Sequence, residues 1–412
     1  MKKVICALLA AAMLCALSAC SGGFEDAVRE MVLPSSTFRP DYRPGEENTT
    51  VTWNAGLFKK QGKWLYYTIE NTLVKFPIGG NQDDLTVVRD LNSVNYVCDQ
   101  CGNHVRYSDS AGLDCAIGDW LYCWTRSDDR LHVFRVRTDG RAMEPVSCIA
   151  DEYHQAVGVC WRGYIYWLFG DYSDYVPQYR LTRVPLEGGA PETIRTFSCW
   201  GASFLSVSED WLYLYTCMDD WESFRFFKLT QDGAVEEVKV SKLYYLAEDG
   251  VRYDSTLLVN TIMPLPDGSL LFDTPYPYEK TFRIEDGDLN SLPDEVYVES
   301  EEDLEKQLEE FKWQWPGLPE GKSPLWRFAC YLDDSVGVYG LTDGVYFYSR
   351  RYDKLTKVSD AQAVYLYWLG DGYIYFTEYF DGPYCRVRTD GTGLEDLSWM
   401  QELPEQRDET AD

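Results

Sequence analysis

The six residues Arg-Val-Arg-Thr-Asp-Gly occur twice without change, at 135–140 and again at 386–391. Each copy follows a similar phrase, Gly-Asp-Trp-Leu-Tyr at 118–122 and Gly-Asp-Gly-Tyr-Ile-Tyr at 370–375. Two such composite matches in one chain indicate an internal repeat, and a repeat constrains the fold before any other feature does. Short strand-like runs that end in Asp-Gly are typical of β-hairpins. The sequence therefore predicts an array of small antiparallel sheets.

Seven units of this kind follow one another along the chain, five of them clear and two degenerate. The degenerate units are 267–288 and 343–356. The clear units are 62–80, 118–140, 163–189, 209–233 and 370–391. We expect the first aromatic residue of each clear unit to lie at an equivalent position on the second strand of its sheet; these residues are Trp64, Trp120, Tyr164, Trp211 and Tyr373.

Closing the units into a ring solves a problem that a linear stack would have. A linear stack leaves exposed strand edges at both ends, whereas radial closure removes most of them. The aromatic content of 15%, spread through alternating runs, also fits an all-β protein. We therefore expect an all-β fold, a β-propeller of about seven four-stranded blades over residues 51–400. The irregular spacing of the units is also compatible with six or eight blades.

The widest gap between units has helical character near residues 300–315. Ser300 and the three acids that follow it form a helix cap with a negatively charged first turn. Apolar residues follow at helical spacing: Leu304, Leu308, Phe311 and Trp315. We expect one inserted helix of about four turns on the side of the array.

The start of the chain has the features of an export signal. Lys2 and Lys3 precede a short apolar run that ends in Leu-Ser-Ala-Cys at 17–20, which is a secretory pattern too short to span a bilayer comfortably. Leu-Ser-Ala-Cys resembles the lipobox of bacterial lipoproteins. That resemblance implies cleavage before Cys20 and a diacylglycerol on its thiol. An ordinary secretory signal with a coincidental cysteine is the alternative.

These features predict how the chain is organised around the propeller. Residues 1–19 are a lipoprotein signal peptide, residues 20–50 a lipid-anchored linker, and residues 401–412 a disordered acidic tail. We expect the protein at the cell membrane, anchored by lipid and facing outside the cytoplasm. The Cys20 lipid is then its only attachment to the membrane.

The repeat units also resemble the blades of a bacterial lipoprotein β-propeller family of unknown function, related to the YWTD propeller of the low-density lipoprotein receptor. Units of that family read Gly-Asp-Trp-Ile-Tyr-Tyr, a loop, Leu-Tyr-Lys-Ile and Thr-Asp-Gly-Thr-Gly. The last motif is complete at 389–393, whereas Arg141 follows Thr-Asp-Gly at 138–140, and the strict Tyr-Trp-Thr-Asp tetrad is absent. The resemblance covers about residues 51–398 and implies the fold, not the ligand.

The charge of the chain limits its partners. It has 38 Lys and Arg against 67 Asp and Glu, and loss of the signal with Lys2 and Lys3 leaves 36 against 67, a net charge of −31. Such a surface repels phosphate backbones and anionic headgroups, so nucleic acid is not an expected partner. The expected partner is a glycan, a peptide or an envelope protein.

One segment collects four groups that bind soft metals. It reads Cys98-x-x-Cys101-x-x-His104, with Cys115 eleven residues after His104. Zinc takes four such ligands in tetrahedral geometry, and the family that the chain resembles often has a Cys- and His-rich loop here. A structural zinc is one interpretation, and no other cofactor is expected. A Cys98–Cys115 or Cys101–Cys115 disulfide, or unlinked thiols, are the alternatives. Cysteines in strand-like runs are expected to be buried thiols: Cys123, Cys160, Cys217 and Cys385.

Catalytic motifs are missing from the sequence. It has three histidines, none at a repeated position, and no nucleophile elbow, phosphate loop or metalloprotease helix. The sequence therefore predicts a binding protein that is not an enzyme. A carbohydrate-active enzyme on a propeller scaffold and a purely structural envelope protein are the alternatives.

The loops between the second and third strands of four units combine acids with aromatic rings. In a propeller these loops gather on one face, where rings offer flat apolar surfaces and carboxylates accept hydrogen bonds from hydroxyl groups or pair with cations. Turns of any propeller also collect such residues, which is the simpler interpretation. The predicted ligand face contains Trp124, Asp128, Asp129, Asp171, Tyr172, Asp174, Tyr175, Asp219, Asp220, Trp221, Phe380 and Asp381.

Overall fold

A computed structural model describes most of the repeat region. The described residues are 58–106, 111–128, 130–150, 158–207, 211–217, 224–230, 232–246, 252–259, 261–264, 269–274, 280–313, 336–341, 344–349, 354–360, 365–370, 372–377 and 382–404. The signal sequence, Cys20 and the linker lie outside them. Among the helices of these ranges, none has the length and apolar character needed to cross a bilayer.

Seven sheets follow one another in the order of the repeat, and we number them blades 1 to 7. Blade 1 contains β1 (Lys59–Gln61), β2 (Trp64–Ile69), β3 (Thr72–Pro77) and β4 (Thr86–Asp90). A hairpin of β5 (Asn95–Val97) and β6 (His104–Arg106) lies in the connection to the next blade. Blade 2 contains β7 (Ala111–Ile117), β8 (Trp120–Ser127), β9 (Arg130–Arg137) and β10 (Met143–Ala150).

Blades 3 and 4 repeat the four-stranded pattern, and a mixed sheet follows them. Blade 3 contains β11 (Val159–Trp161), β12 (Tyr164–Asp171), β13 (Gln178–Pro185) and β14 (Glu192–Ser198). Blade 4 contains β15 (Gly201–Val207), β16 (Trp211–Cys217), β17 (Phe224–Thr230) and β18 (Val235–Val238). The mixed sheet consists of β19 (Lys242–Leu246), β20 (Arg252–Leu257) and β24 (Glu295–Val298), with β24 parallel to β19.

The last three blades include the two degenerate units. Blade 5 contains β21 (Thr261–Pro264), β22 (Leu270–Asp273) and β23 (Thr281–Ile284), and blade 6 contains β25 (Val336–Leu341), β26 (Gly344–Ser349) and β27 (Lys354–Ser359). Blade 7 contains β28 (Tyr365–Gly370), β29 (Tyr373–Thr377), β30 (Tyr384–Arg388) and β31 (Glu395–Asp396). Each degenerate unit thus has three strands within the described ranges, and each clear unit has four.

The arrangement is that of a β-propeller, as the sequence predicts. All seven blades are consecutive antiparallel strands, and the first strand β7 contacts the first strands of both neighbouring blades, β1 and β11, which makes these strands the innermost. Trp64, Trp120, Tyr164, Trp211 and Tyr373 each begin the second strand of their blade, so the predicted equivalence is confirmed. The blades pack through apolar faces; Leu73 of blade 1, for example, lies in one buried cluster with Leu121 and Phe134 of blade 2.

A repeated polar contact joins successive blades. In blade 2, Arg135 on β9 lies opposite Tyr122 on β8, stacks on Trp120 at 4.5 Å and forms an ion pair with Glu144 at 2.6 Å. It also donates to the carbonyl of Leu186 in the turn of blade 3. The repeated Arg therefore ties its own blade to the turn of the next one.

The same contact closes the ring between blade 7 and blade 1. Arg386, the equivalent of Arg135, pairs with Glu395 at 2.6 Å and donates to the carbonyl of Gly80. The Tyr67 hydroxyl donates to the carbonyl of Met400 at 3.0 Å. Closure therefore joins two complete blades by side chains and apolar packing, because blade 1 and blade 7 each take their strands from one continuous segment.

The inserted helix is shorter than predicted. Helix α1 (Glu301–Gln307) has seven residues and is capped by Ser300, whose hydroxyl accepts from the Asp303 amide. The prediction of about four turns is wrong because a 3₁₀ turn follows at Glu309–Phe311 and Lys312 then pairs with β23. Further 3₁₀ turns lie at Gln82–Asp84, Leu91–Ser93, Leu289–Ser291 and Ser398–Gln401. Trp315 lies outside the described residues.

Candidate metal centre and loop face

Antiparallel alternation gives the propeller two different sides. The loop between the second and third strands of each blade lies on the same side of the propeller as the connection to the next blade, and we call this side the loop face. The opposite side carries the turns between strands three and four, such as 138–140 and 389–391, and we call it the turn face.

An aromatic cluster lies on the loop face of blade 3. Among the described residues, Tyr175 and Tyr172 are the aromatic side chains with the greatest exposure, at 86% and 44%. Tyr175 packs edge to face on Trp200, with ring centroids 5.6 Å apart, and Trp200 lies in the connection to blade 4. The Tyr172 hydroxyl lies 2.6 Å from that of Tyr179, which orients its ring.

Two acids belong to the same loop as these tyrosines. The Asp171 carboxylate accepts from the Ser173 amide at 2.9 Å, and this bond is the main reason why the pKa of Asp171 is lowered. Asp174 lies between the two tyrosines in the sequence and is exposed. The structure therefore brings Asp171, Tyr172, Asp174 and Tyr175 together on one loop with Trp200, a residue that the sequence patterns did not single out.

The other predicted ligand-face residues have separate positions or lie outside the description. Trp124 is half-buried on β8, opposite Gly112 of β7, and Asp128 is exposed in the β8–β9 turn with a φ of 49°. Residues of this set outside the described ranges are Asp129, Asp219, Asp220, Trp221, Phe380 and Asp381.

A second cluster consists of three cysteines and one histidine. One ligand atom from each of Cys98, Cys101, His132 and Cys148 lies within 4.8 Å of each of the others. His132 on β9 and Cys148 on β10 are direct cross-strand partners, so their side chains share one face of blade 2. Cys98 and Cys101 come from the tip of the β5–β6 hairpin.

The hairpin tip is shaped to present both thiols. Gly102 has a φ of 77° and its amide donates to the carbonyl of Cys98 at 2.7 Å, which closes a tight turn around Cys101. Gln100, between the two cysteines, accepts from the Cys148 amide at 3.0 Å. Because β10 is the outermost strand of its blade, Gln100 covers part of an otherwise open strand edge.

The electrostatic surroundings act in opposite directions on the thiols of Cys148 and Cys101. Arg130 lies 3.5 Å from the Sγ of Cys148, and this bond is the main reason why the pKa of Arg130 is raised. Burial raises the pKa of Cys148 to about 12, against the effect of Arg130. For Cys101, burial alone would raise the pKa, but the Asn103 backbone, the neighbouring thiols and Arg130 outweigh it, so the pKa is lowered.

His132 is fully buried, with 0% of its surface exposed. Neither of its ring nitrogens has a hydrogen-bond partner among the described residues. Burial, the largest influence, lowers the pKa of His132, although the Ser127 backbone and Asp128 act in the opposite direction. The lowered pKa favours the neutral imidazole, which is the form that coordinates a metal.

Two of the predicted metal ligands are not in this cluster. Cys115 on β7 forms a disulfide with Cys160 on β11, so the predicted Cys98–Cys115 and Cys101–Cys115 disulfides and the expected free thiol at Cys160 are wrong. His104 is exposed on β6. Cys123, Cys217 and Cys385 are buried thiols, as predicted.

A buried pair of opposite charges lies near the ring centre. Lys59 on β1 is 4% exposed and Asp114 on β7 is 1% exposed. Asp114 accepts from the Gly158 amide at 2.9 Å, which ties blade 2 to blade 3. Burial lowers the pKa of Lys59 to about 8, although Asp114 acts in the opposite direction.

No family model and no curated protein matches the chain, so membership of the lipoprotein propeller family stays a prediction. Solved structures do match. Puromycin hydrolase in complex with PGG is 12% identical over 87% of this chain and 53% of its own, with a TM-score of 0.47. A prolyl endopeptidase is 13% identical over 83% of this chain and 48% of its own, with a TM-score of 0.46. The β-propeller domain of the Trilobed protease from Pyrococcus furiosus is 6% identical over 83% and 95%, with a TM-score of 0.40.

These matches correct one prediction. The interpretation that the protein is not an enzyme is contradicted, because puromycin hydrolase and prolyl endopeptidase are themselves peptidases. The chain spans about half the length of each of these two proteins. At this identity their peptidase activity is a property of those proteins, and the β-propeller fold is what they share with this chain.

Proposed function

We propose that this protein is a lipid-anchored cell-surface β-propeller that binds a ligand on the loop face of blade 3. The exposed Tyr175 ring, held on edge against Trp200, is the observation that carries the proposal. A ring that is fixed by its neighbour and remains open to water loses little conformational entropy when a ligand stacks on it.

The charge of the loop indicates the class of ligand. Asp171 and Asp174 flank the rings, and the whole mature chain is strongly acidic. Carboxylates accept hydrogen bonds from sugar hydroxyl groups and attract ammonium groups, and they repel phosphates. The ligand is therefore a glycan or a cationic peptide segment, not a polyanion.

The Cys115–Cys160 disulfide supports the proposed location. It joins the inner strands of blades 2 and 3, and disulfides persist in oxidising compartments outside the cytoplasm. The lipobox-like Leu-Ser-Ala-Cys at 17–20 supplies the anchor in this proposal. Replacing Cys20 with Ala should release the protein from membranes or leave it uncleaved, as fractionation and intact mass would show. Unchanged fractionation and mass would contradict the anchor.

A glycan and peptide array with the soluble chain 24–412 tests the ligand proposal. Tyr175→Ala should weaken binding of the best ligand by about 5- to 150-fold, the equivalent of about 1–3 kcal/mol. Tyr175→Phe keeps the ring and should bind like the original chain, and so should Tyr244→Ala on the mixed sheet, which deletes a ring elsewhere. Equal binding by Tyr175→Ala and Tyr244→Ala, or a polyphosphate as the best ligand, would overturn the proposal. A hydrolysis assay on each ligand found shows whether it is also a substrate.

A further inference from the structure

We propose that Cys98, Cys101, His132 and Cys148 bind one zinc ion, which fastens the β5–β6 hairpin to the outer strands of blade 2. The ion has a structural role, because the site uses all four positions of a tetrahedral zinc and leaves none for water or substrate. The inference is independent of the proposed ligand face.

The geometry fits the ion. Zinc–sulfur bonds of about 2.3 Å place the sulfur atoms of a tetrahedral site roughly 3.8 Å apart. The four ligand atoms lie within 4.8 Å of one another, so small side-chain rotations complete the coordination. Two ligands come from a tight hairpin turn and two from paired strands, which means that the backbone has already placed them.

The buried histidine supplies an independent observation. An imidazole that is fully buried without a hydrogen bond to either ring nitrogen costs about 1–3 kcal/mol or more of stability. Native proteins rarely keep such a group unless it has another partner. A metal ion bound to one ring nitrogen would be that partner, and the three cysteine sulfur atoms lie within 4.8 Å of that nitrogen.

The charge of the site also balances. Three thiolates and one Zn²⁺ carry a net charge of −1, and the Arg130 guanidinium beside Cys148 supplies +1. A neutral group can be buried at the blade edge without the cost of an isolated charge. Thiolate and imidazole ligands favour zinc over magnesium, calcium and manganese, which prefer oxygen.

Elemental analysis of the full ectodomain tests the site with matched controls. We expect about one zinc per chain, lost in Cys148→Ser and in His132→Ala. The controls Cys199→Ser, a buried thiol of the blade 3–4 connection, and His104→Ala, the exposed histidine of the same hairpin, should keep their zinc. Equal zinc content in Cys148→Ser and Cys199→Ser would overturn the assignment.

X-ray absorption on the unmodified protein removes any dependence on variants that fail to fold. The expected shell has three sulfur atoms at about 2.3 Å and one nitrogen at about 2.0–2.1 Å. A shell of oxygen atoms, protein that takes up no zinc under reducing conditions, or a disulfide among Cys98, Cys101 and Cys148 in the purified protein would each contradict the proposal.

Discussion

The turn face and the loop face are built from different kinds of residue. On the turn face, one arrangement recurs in blades 2, 3 and 7: a second-strand aromatic ring, a third-strand Arg stacked on it, and a Glu on the fourth strand, as in Trp120, Arg135 and Glu144. On the loop face, the exposed tyrosines within the described ranges belong to blade 3. The cysteine–histidine cluster likewise occurs once among the described residues, where the hairpin between blades 1 and 2 meets the outer strands of blade 2.

The residues that hold the ring together are therefore different from the residues that are available to bind a ligand or a metal ion. Arg135 and Arg386 each serve their own blade and the turn of the next one, so a contact of this kind can be repeated around the ring. A ligand or a metal ion needs a single constellation, and therefore its residues need not repeat. We expect the substitutions with the largest effect on stability to lie on the turn face, because one side chain there contacts two blades.

Replacing Arg386 with Ala should have the largest effect. Arg386 is 4% exposed and closes the ring, whereas its partner Glu395 is 48% exposed. Removing one member of a buried pair costs about 3–5 kcal/mol, and the half-exposed Glu395 places the expected loss at the lower end. Urea unfolding measures it.

Arg225→Ala is the control for this variant. The Arg225–Glu237 pair has both side chains nearly half exposed, so its loss should cost about 1 kcal/mol or less. Equal destabilisation by the two variants would show that the turn-face contact does not close the ring.

The pH dependence of stability tests the ring centre. The folded-state pKa of Lys59 is about 8, below its ordinary 10.5. Between these two values the unfolded chain keeps a proton that the folded chain has released, so stability rises with pH across this window. The original chain should gain on the order of 3 kcal/mol relative to Lys59→Met between pH 8 and pH 10.5. If the free energy of unfolding changed with pH in the same way in both proteins, a lowered pKa of Lys59 would be contradicted.

Two glycine replacements separate backbone strain from packing on the turn face. Gly140 has a φ of 74°, and a Cβ there would lie 1.9 Å from the Val88 carbonyl oxygen of blade 1. Gly62 has a φ of 56°, with no atom within 4 Å of its Cβ position. Both changes to Ala should cost about 1–2 kcal/mol for the backbone, and Gly140→Ala should cost about 1–3 kcal/mol more. Unfolding of the two variants by urea measures the difference, which should vanish if the blades do not pack closely here.

The repeated residues explain why the fold could be predicted. Asp-Gly turns and alternating apolar strands are local signals, and seven copies reinforce one another, so even the second-strand position of Tyr373 follows from the sequence. The helix after Ser300 was predicted from its cap and spacing, but its end depends on the pairing of Lys312 with β23, which is a tertiary contact.

The metal centre could be predicted only in part, because half of it depends on a β-bulge. Cys98 and Cys101 are close in sequence and were found. In β10 the register shifts between Pro145 and Ser147, and this shift places Cys148 opposite His132. Without the extra residue Ser147 would occupy that position, so spacing alone pointed to His104 and Cys115 instead.

The central claim is that the turn-face contacts hold the ring together, whereas the loop face carries a ligand site and a metal centre that the ring does not depend on. Hydrogen–deuterium exchange with and without a zinc chelator tests this claim most directly. We predict that the chelator removes protection in the hairpin at 95–106 and in β10, while the strands of blades 3 and 7 keep theirs. Loss of protection across all blades together would show that the metal centre holds the ring. No change in the hairpin would show that it is not fastened by a metal.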